Sequence, residues 1–163
     1  MNVQEFNALT QKQAEQALRP CLDVPRWIKD ISEGRPYDSV DSILQAADHA
    51  GAQLTPSEVD QALLHHPRIG ERARGGHTEA RLSREEQAEL GITTDIQTQL
   101  DQGNAEYEER FDQVFLIRAA GRSSDEILAE LRRRMNNTAE QESQEVADQL
   151  SQIATLRLKG LFS

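Results

Sequence analysis

Cysteine occurs once in the 163 residues, at Cys21, and this excludes an intrachain disulfide framework and any cysteine-rich metal site. No window approaches the ~18 consecutive apolar residues that a membrane span requires. The first residues, Met1-Asn2-Val3-Gln4-Glu5, lack the basic and apolar parts of a secretory signal, so the expected location is the cytoplasm. Basic residues are outnumbered, with 18 Lys and Arg against 28 Asp and Glu and a formal net charge of -10. Such a chain repels nucleic acid and anionic membranes at long range, which argues against both as partners. Period-two alternation is missing too, as are internal repeats and low-complexity tracts. What remains fits one all-α domain spanning 1–163.

Apolar residues recur at three- and four-residue spacing throughout. Val3, Phe6 and Leu9 mark a short first helix. Asp23 is a cap candidate ahead of Pro25, whose missing amide costs little in a first turn, and Trp27, Ile28 and Ile31 then face the core. Val40, Ile43, Leu44 and Ala47 share one side of a helix over 39–50. Thr55-Pro56-Ser57-Glu58 is a capping box with proline at the first helical position, leading to Val59, Ala62 and Leu63. Gly75-Gly76 within a polar stretch predicts an exposed, flexible loop over about 71–82 that has the makings of a cover for a pocket.

Ser83-x-x-Glu86 reads as another capping box, opening a helix to about Leu90, with a bend at Gly91. A long helix is expected from about Thr94 to Arg118, with Gly103-Asn104 as a point of interruption and Tyr107 and Phe111 as a packing pair. Ser123 and Glu126 cap a helix that stops near Asn136-Asn137, and its terminal Arg132-Arg133-Arg134 run fits attraction to the last carbonyls. Thr138 with Gln141 opens the last helix, whose Gln- and Glu-rich stretch 140–149 reads as a solvated face. Val146, Leu150, Ile153 and Arg157 lie on one stripe, so an arginine projects where the helix seeks the interior. Either it snorkels at the helix end or it meets an internal carboxylate of protein or ligand.

The sharpest local signal is Leu63-Leu64-His65-His66-Pro67-Arg68-Ile69-Gly70. Proline disfavours the α region for the residue before it, so His66 belongs to a defined bend at a helix end, a suitable place for an acid or base. Taken alone, His66 serves equally as a helix-stop residue bonded to a nearby carbonyl, and Glu86 as a cap. His49, His65 and His77 lack the constraint that marks His66. The histidines do not form the i, i+4 pair of a helical zinc motif, and no metal site is expected.

Several motifs in order are more specific than any one of them. Cys21-Leu22-Asp23-Val24-Pro25-Arg26-Trp27, Arg35-Pro36-Tyr37-Asp38-Ser39, His66-Pro67-Arg68-Ile69-Gly70, Ser83-x-x-Glu86-Gln87, Asn104-x-x-Tyr107-x-x-Arg110-Phe111, Gly121-Arg122-Ser123-x-x-Glu126-Ile127-Leu128 and Ile153-x-x-x-Arg157-Leu158 follow one another over nearly the whole chain. This order resembles the 2-oxo-4-hydroxy-4-carboxy-5-ureidoimidazoline (OHCU) decarboxylases of purine catabolism. The resemblance implies a compact all-helical homodimer, without metal or organic cofactor, that converts OHCU to (S)-allantoin. It implies His66 and Glu86 as catalytic residues, and Pro67, Ser83, Gln87, Arg157 and the backbone of 111–119 as substrate contacts. Asp112-Gln113 departs from the glycine and apolar residue that many relatives carry there. The rival reading is a noncatalytic helical module that binds a small ureide or a protein partner.

Overall fold

The computed structural model describes every residue except His65, Pro67, residues 70–77 and Glu89, and gives the backbone alone for 78–80 and 83. Among the described residues there are nine helices and no strand: α1 (Val3–Ala8), α2 (Gln11–Leu18), α3 (Pro25–Glu33), α4 (Val40–Gly51), α5 (Pro56–Leu63), α6 (Thr78–Ala88), α7 (Thr94–Phe111), α8 (Ser124–Arg134) and α9 (Ala139–Leu161). The all-α expectation holds. None of the described helices is long and apolar enough to cross a membrane.

Capping chemistry sets most of the helix starts. Asn2 with Glu5, Thr10 with Gln13, Thr55 with Glu58 and Thr138 with Gln141 each exchange side-chain and backbone hydrogen bonds, satisfying amides that a first turn leaves open. The Thr10 box starts α2, a helix that the apolar spacing did not mark. Asp23 does not cap α3: Val24 occupies that position without a side-chain bond, and Pro25 alone marks the start. Proline tolerates an open first turn because it has no amide to satisfy.

Two compact units emerge from the chain, Met1–Ala62 with Leu150–Ser163, and Leu63–Gln149. In the first, Phe6, Leu18, Trp27, Ile31, Ile43 and Leu158 are wholly or almost wholly buried. Arg35 fastens the ends of its helices, donating from Nη1 to the Phe6 and Leu9 carbonyls at 3.0 and 2.6 Å and from Nε to Ser32 at 2.8 Å. Arg26 does the same for α3, α4 and α5 through Asp30, the Ala50 carbonyl and a fork on Glu58. Gly51 lies so close to Ser151 that an added Cβ would stand 2.2 Å from its Oγ.

The second unit is built on Leu100, Tyr107, Phe115, Ile117, Ile127, Leu128 and Leu131. Gly103 and Asn104 do not interrupt α7: a Cβ at Gly103 would lie 2.3 Å from Leu131 Cδ2, so glycine is there for close helix approach. The helix ends at Phe111 rather than near Arg118, because Asp112 turns left-handed (φ 54°, ψ 37°) and donates its amide to Glu108. Gly91 has φ +62°, in keeping with the expected bend.

Candidate functional site

His66 follows directly on α5. Its amide donates to the Leu63 carbonyl at 3.2 Å, closing one more turn where the helix stops, and the residue is half-buried. Just beyond it, Arg68 forms a forked ion pair with Glu108 of α7, and the Ile69 carbonyl accepts from Asn104 Nδ2 at 3.0 Å. Pro67 lies outside the described residues.

Ser83 is not a helix cap. The helix that contains it begins at Thr78, five residues earlier, so the loop expected over 71–82 reaches at most to 77. A mid-helix setting changes the reading of all three α6 candidates. Ser83, Glu86 and Gln87 stand at i, i+3 and i+4 and therefore on one face, and the amide at Glu86 is no orphan of a first turn. Capping is therefore not the reason for a carboxylate at 86. Glu86 and Gln87 are both half-buried.

The 111–119 segment leaves α7 through Asp112 and continues in irregular backbone, with Phe115, Leu116, Ile117 and Ala119 buried. Its polar groups are held from outside. Arg134 Nη1 donates to the Leu116 carbonyl at 2.8 Å, and the Arg118 amide donates to Gln149 Oε1 at 2.8 Å. The left-handed conformation at 112 explains why a glycine suits that position and why aspartate, one of the few side chains that tolerates it, replaces glycine without breaking the turn. Gln113, the second departure, donates to the Tyr107 hydroxyl at 3.2 Å.

Arg157 is only 6% exposed on α9 and donates from Nη1 to the Pro20 carbonyl at 3.1 Å. Snorkelling into water is therefore not its role. Of the candidates, His66, Ser83, Glu86, Gln87 and 111–119 belong to the second compact unit and Arg157 to the first. No group of three or more His, Cys, Asp or Glu side chains among the described residues is arranged to hold a metal ion.

Beside the 111–119 segment lies a polar cluster that the sequence reading missed. Arg134 and Glu142 form an ion pair at 2.5 Å with side-chain exposures of 2% and 0%. Glu142 Oε1 accepts from Arg134 Nε at 2.9 Å and from the Tyr107 hydroxyl at 2.5 Å, while Oε2 accepts from Asn137 Nδ2 at 3.0 Å. The guanidinium also lies over the Phe115 ring, 4.5 Å from its centroid. Burial, reinforced by donation to the Glu142 carboxylate, pushes the Tyr107 phenol above its ordinary value. Arg134 thus does not serve its own helix terminus, and Glu142 does not belong to a wet face. Arg132 and Arg133 do point outward, to Gln99 and to Glu130 and Glu145 respectively.

Comparison with known proteins gives one consistent result. A family model described as OHCU decarboxylase matches residues 7–159. The "Uric acid degradation bifunctional protein" of Bacillus sp. (strain TB-90) is 23% identical over 99% of this chain and 32% of its own length. The "Uric acid degradation bifunctional protein TTL" of Arabidopsis thaliana is 29% identical over 91% of this chain and 47% of its own. The chain thus spans about a third to a half of the curated relatives it matches. A crystal structure of an OHCU decarboxylase in the presence of (S)-allantoin superposes with a TM-score of 0.69 at 23% identity, covering 88% of this chain and 95% of that one. A crystal structure of an (S)-allantoin synthase gives 0.72 at 14% identity, covering 99% of this chain and 54% of that one. At these identities the two structures establish a shared fold.

Proposed function

We propose that this chain, which belongs to the OHCU decarboxylase family, catalyses the cofactor-independent decarboxylation of OHCU to (S)-allantoin in urate breakdown. The observation that carries the reading is the family match over residues 7–159, which encloses every candidate position from His66 to Arg157. The ordered motifs and the shared fold support it. The reading extends to a homodimer in the cytoplasm, on the resemblance.

Decarboxylation leaves the carbon–carbon bonding pair on the substrate. In OHCU the ring carbon that loses carboxylate adjoins an imine-like carbon, so the pair enters the ring as a carbon–carbon double bond and the imine electrons move onto nitrogen. That nitrogen takes up a proton, another adds to the ureido-bearing carbon, and the ring hydroxyl becomes a carbonyl as its own proton leaves. The substrate is its own electron sink. The protein has to orient the carboxylate, stabilise the developing anion and deliver the proton to one face.

In this account His66 is the acid that steers protonation, since an imidazole with a reference pKa of about 6.5 exchanges protons readily near neutrality. Glu86 is its ligand-facing partner, holding the histidine, meeting the substrate hydroxyl or doing both, with Ser83 and Gln87 on the same helical face. Arg157 supplies a planar, permanently charged fork for an anionic or amide-like edge of the ring. Backbone groups of 111–119 complete the contacts, with Pro67 as a further substrate contact.

The test begins with freshly generated OHCU, because the substrate also decays unaided. Faster loss of OHCU with formation of one allantoin enantiomer, followed by circular dichroism, supports the reading. Binding without acceleration favours the noncatalytic module and rejects the enzyme.

A further inference from the structure

Two side chains of α7, one helical turn apart, grip the residues that follow the His66 bend. Glu108 takes both ends of the Arg68 fork, Nη2 at 2.9 Å on Oε2 and Nε on Oε1. Asn104, 3% exposed, donates to the Ile69 carbonyl at 3.0 Å. On the other side, the His66 amide is fastened to the end of α5 through Leu63. His66 is therefore bracketed, by one helix before it and by another after it.

The two grips differ in character. The Arg68 and Glu108 side chains are 44% and 26% exposed, a setting in which an ion pair adds little net stability. A planar bidentate fork nevertheless fixes direction as well as distance. Asn104 Oδ1 is buried and has no hydrogen-bond partner among the described residues, an arrangement that disfavours the folded state. A buried amide that leaves its acceptor unmet while its donor holds a carbonyl next to the bend is placed for geometry rather than for stability.

We propose that Asn104 and Glu108 are positioning residues for His66: through the Ile69 carbonyl and the Arg68 side chain they fix where the imidazole stands, without themselves touching substrate. The proposal rests on the reading of His66 as the proton donor. Proton transfer is steep in distance and angle, and misplacement of a reacting group by about 1 Å can cost up to about a hundredfold in rate. The sequence marks Asn104 only as a helix interruption and a motif position and does not mark Glu108 at all, and neither is tied there to His66, since both lie about 40 positions from the histidine they serve.

The test uses Glu108→Gln, which replaces a partly exposed carboxylate and leaves the core intact, with the charge swap Arg68→Glu/Glu108→Arg as the restoring variant. Glu108→Gln is expected to lower kcat on fresh OHCU about tenfold with KM nearly unchanged. The melting temperature should move by no more than a few degrees, and the ring proton–carbon resonance of His66, assigned by its loss in His66→Asn, should shift. The charge swap should recover most of the lost kcat. An unmoved resonance in the folded variant overturns the proposal whatever the turnover, and a moved resonance with unchanged kcat overturns it as well. Should the wild-type protein fail to accelerate OHCU loss, the proposed function falls while the resonance still decides the positioning role.

Discussion

Replacing Glu142 with glutamine changes one atom in the polar cluster of the second unit and removes the carboxylate charge that pairs with Arg134. The structure indicates what is then stranded. Arg134 keeps its bond to the Leu116 carbonyl and its place over Phe115, but with a side-chain exposure of 2% it cannot recover the lost charge from water. Glutamine also brings a donor to a site surrounded by donors: two guanidinium nitrogens, the Tyr107 hydroxyl and the Asn137 amide. Whichever way the amide turns, one of them is opposed. Removing one partner of a buried ion pair typically costs about 3–5 kcal/mol. For a chain of this size that corresponds to a fall of roughly 6–20 °C in melting temperature.

Urea unfolding at pH 7, followed by far-ultraviolet ellipticity and by the fluorescence of Trp27, measures the loss. Trp27 belongs to the other compact unit, so divergence of the two signals in Glu142→Gln shows that the units unfold separately, whereas coincidence supports one cooperative transition. A paired apolar replacement, Arg134→Met/Glu142→Leu, is the control. It strands no charge and should recover most of the loss, since apolar substitutes for a buried pair are often neutral or stabilising by about 1–4 kcal/mol. A loss below about 1 kcal/mol in Glu142→Gln refutes the reasoning, because the pair would then be relieved by water or by another counter-charge.

Tyr107→Phe should cost about 1.5–3 kcal/mol at pH 7 as a hydrogen bond to a charged group is lost. It should also flatten an alkaline limb: with the folded pKa raised, the contribution of the neutral phenol is complete below about pH 10 and is lost as pH rises through the folded value. Unfolding followed from pH 8 to 11 in both proteins checks the sign. In the opposite limb, partial burial opposes ionisation of Glu58, but the Arg26 fork holds it below the usual carboxylate range, and Arg133 holds Glu145 low likewise. Stability from both is present above about pH 4.5 and falls as pH drops through their folded values, so Glu58→Gln should reduce the acid dependence. His66→Asn should lower turnover of OHCU about 10²-fold or more while the far-ultraviolet spectrum is retained, and ordinary turnover in that variant rejects the acid role. Arg157→Lys should raise KM, because a point cation does not reproduce a planar fork, and an unchanged KM rejects the clamp.

Local signals and distant ones fared differently in the sequence. The Thr55–Glu58 and Thr138–Gln141 boxes each announce a helix start because donor and acceptor lie within one turn of each other. The same logic misleads at Ser83–Glu86, where an identical pattern falls inside α6; three-residue spacing describes a shared helical face as well as it describes a cap. The end of α7 was also misplaced. Its apolar positions continue past Phe111 into an irregular segment that is buried for tertiary reasons, and only the left-handed turn at Asp112 marks the stop. Periodicity cannot distinguish a buried helix from a buried stretch of chain with the same residues.

The motifs that carry the resemblance divide by the same criterion. Arg26 and Arg35 look as eligible for substrate as Arg157 does, since all three are arginines within recognisable motifs. In the structure Arg26 forks onto Glu58 and Arg35 collects three helix-end carbonyls, so both are committed to joining helices. Arg134 stood in a basic run that reads as serving the last carbonyls of its helix and proves to be the most buried charge of that helix. An arginine's role follows from which acceptors the fold brings to it, and those acceptors are three to more than a hundred residues away in sequence. A chain can thus display its candidate chemistry in short motifs while the groups that hold this chemistry in place, Asn104 and Glu108 behind His66 and Arg134 behind Leu116, become legible only when helices meet.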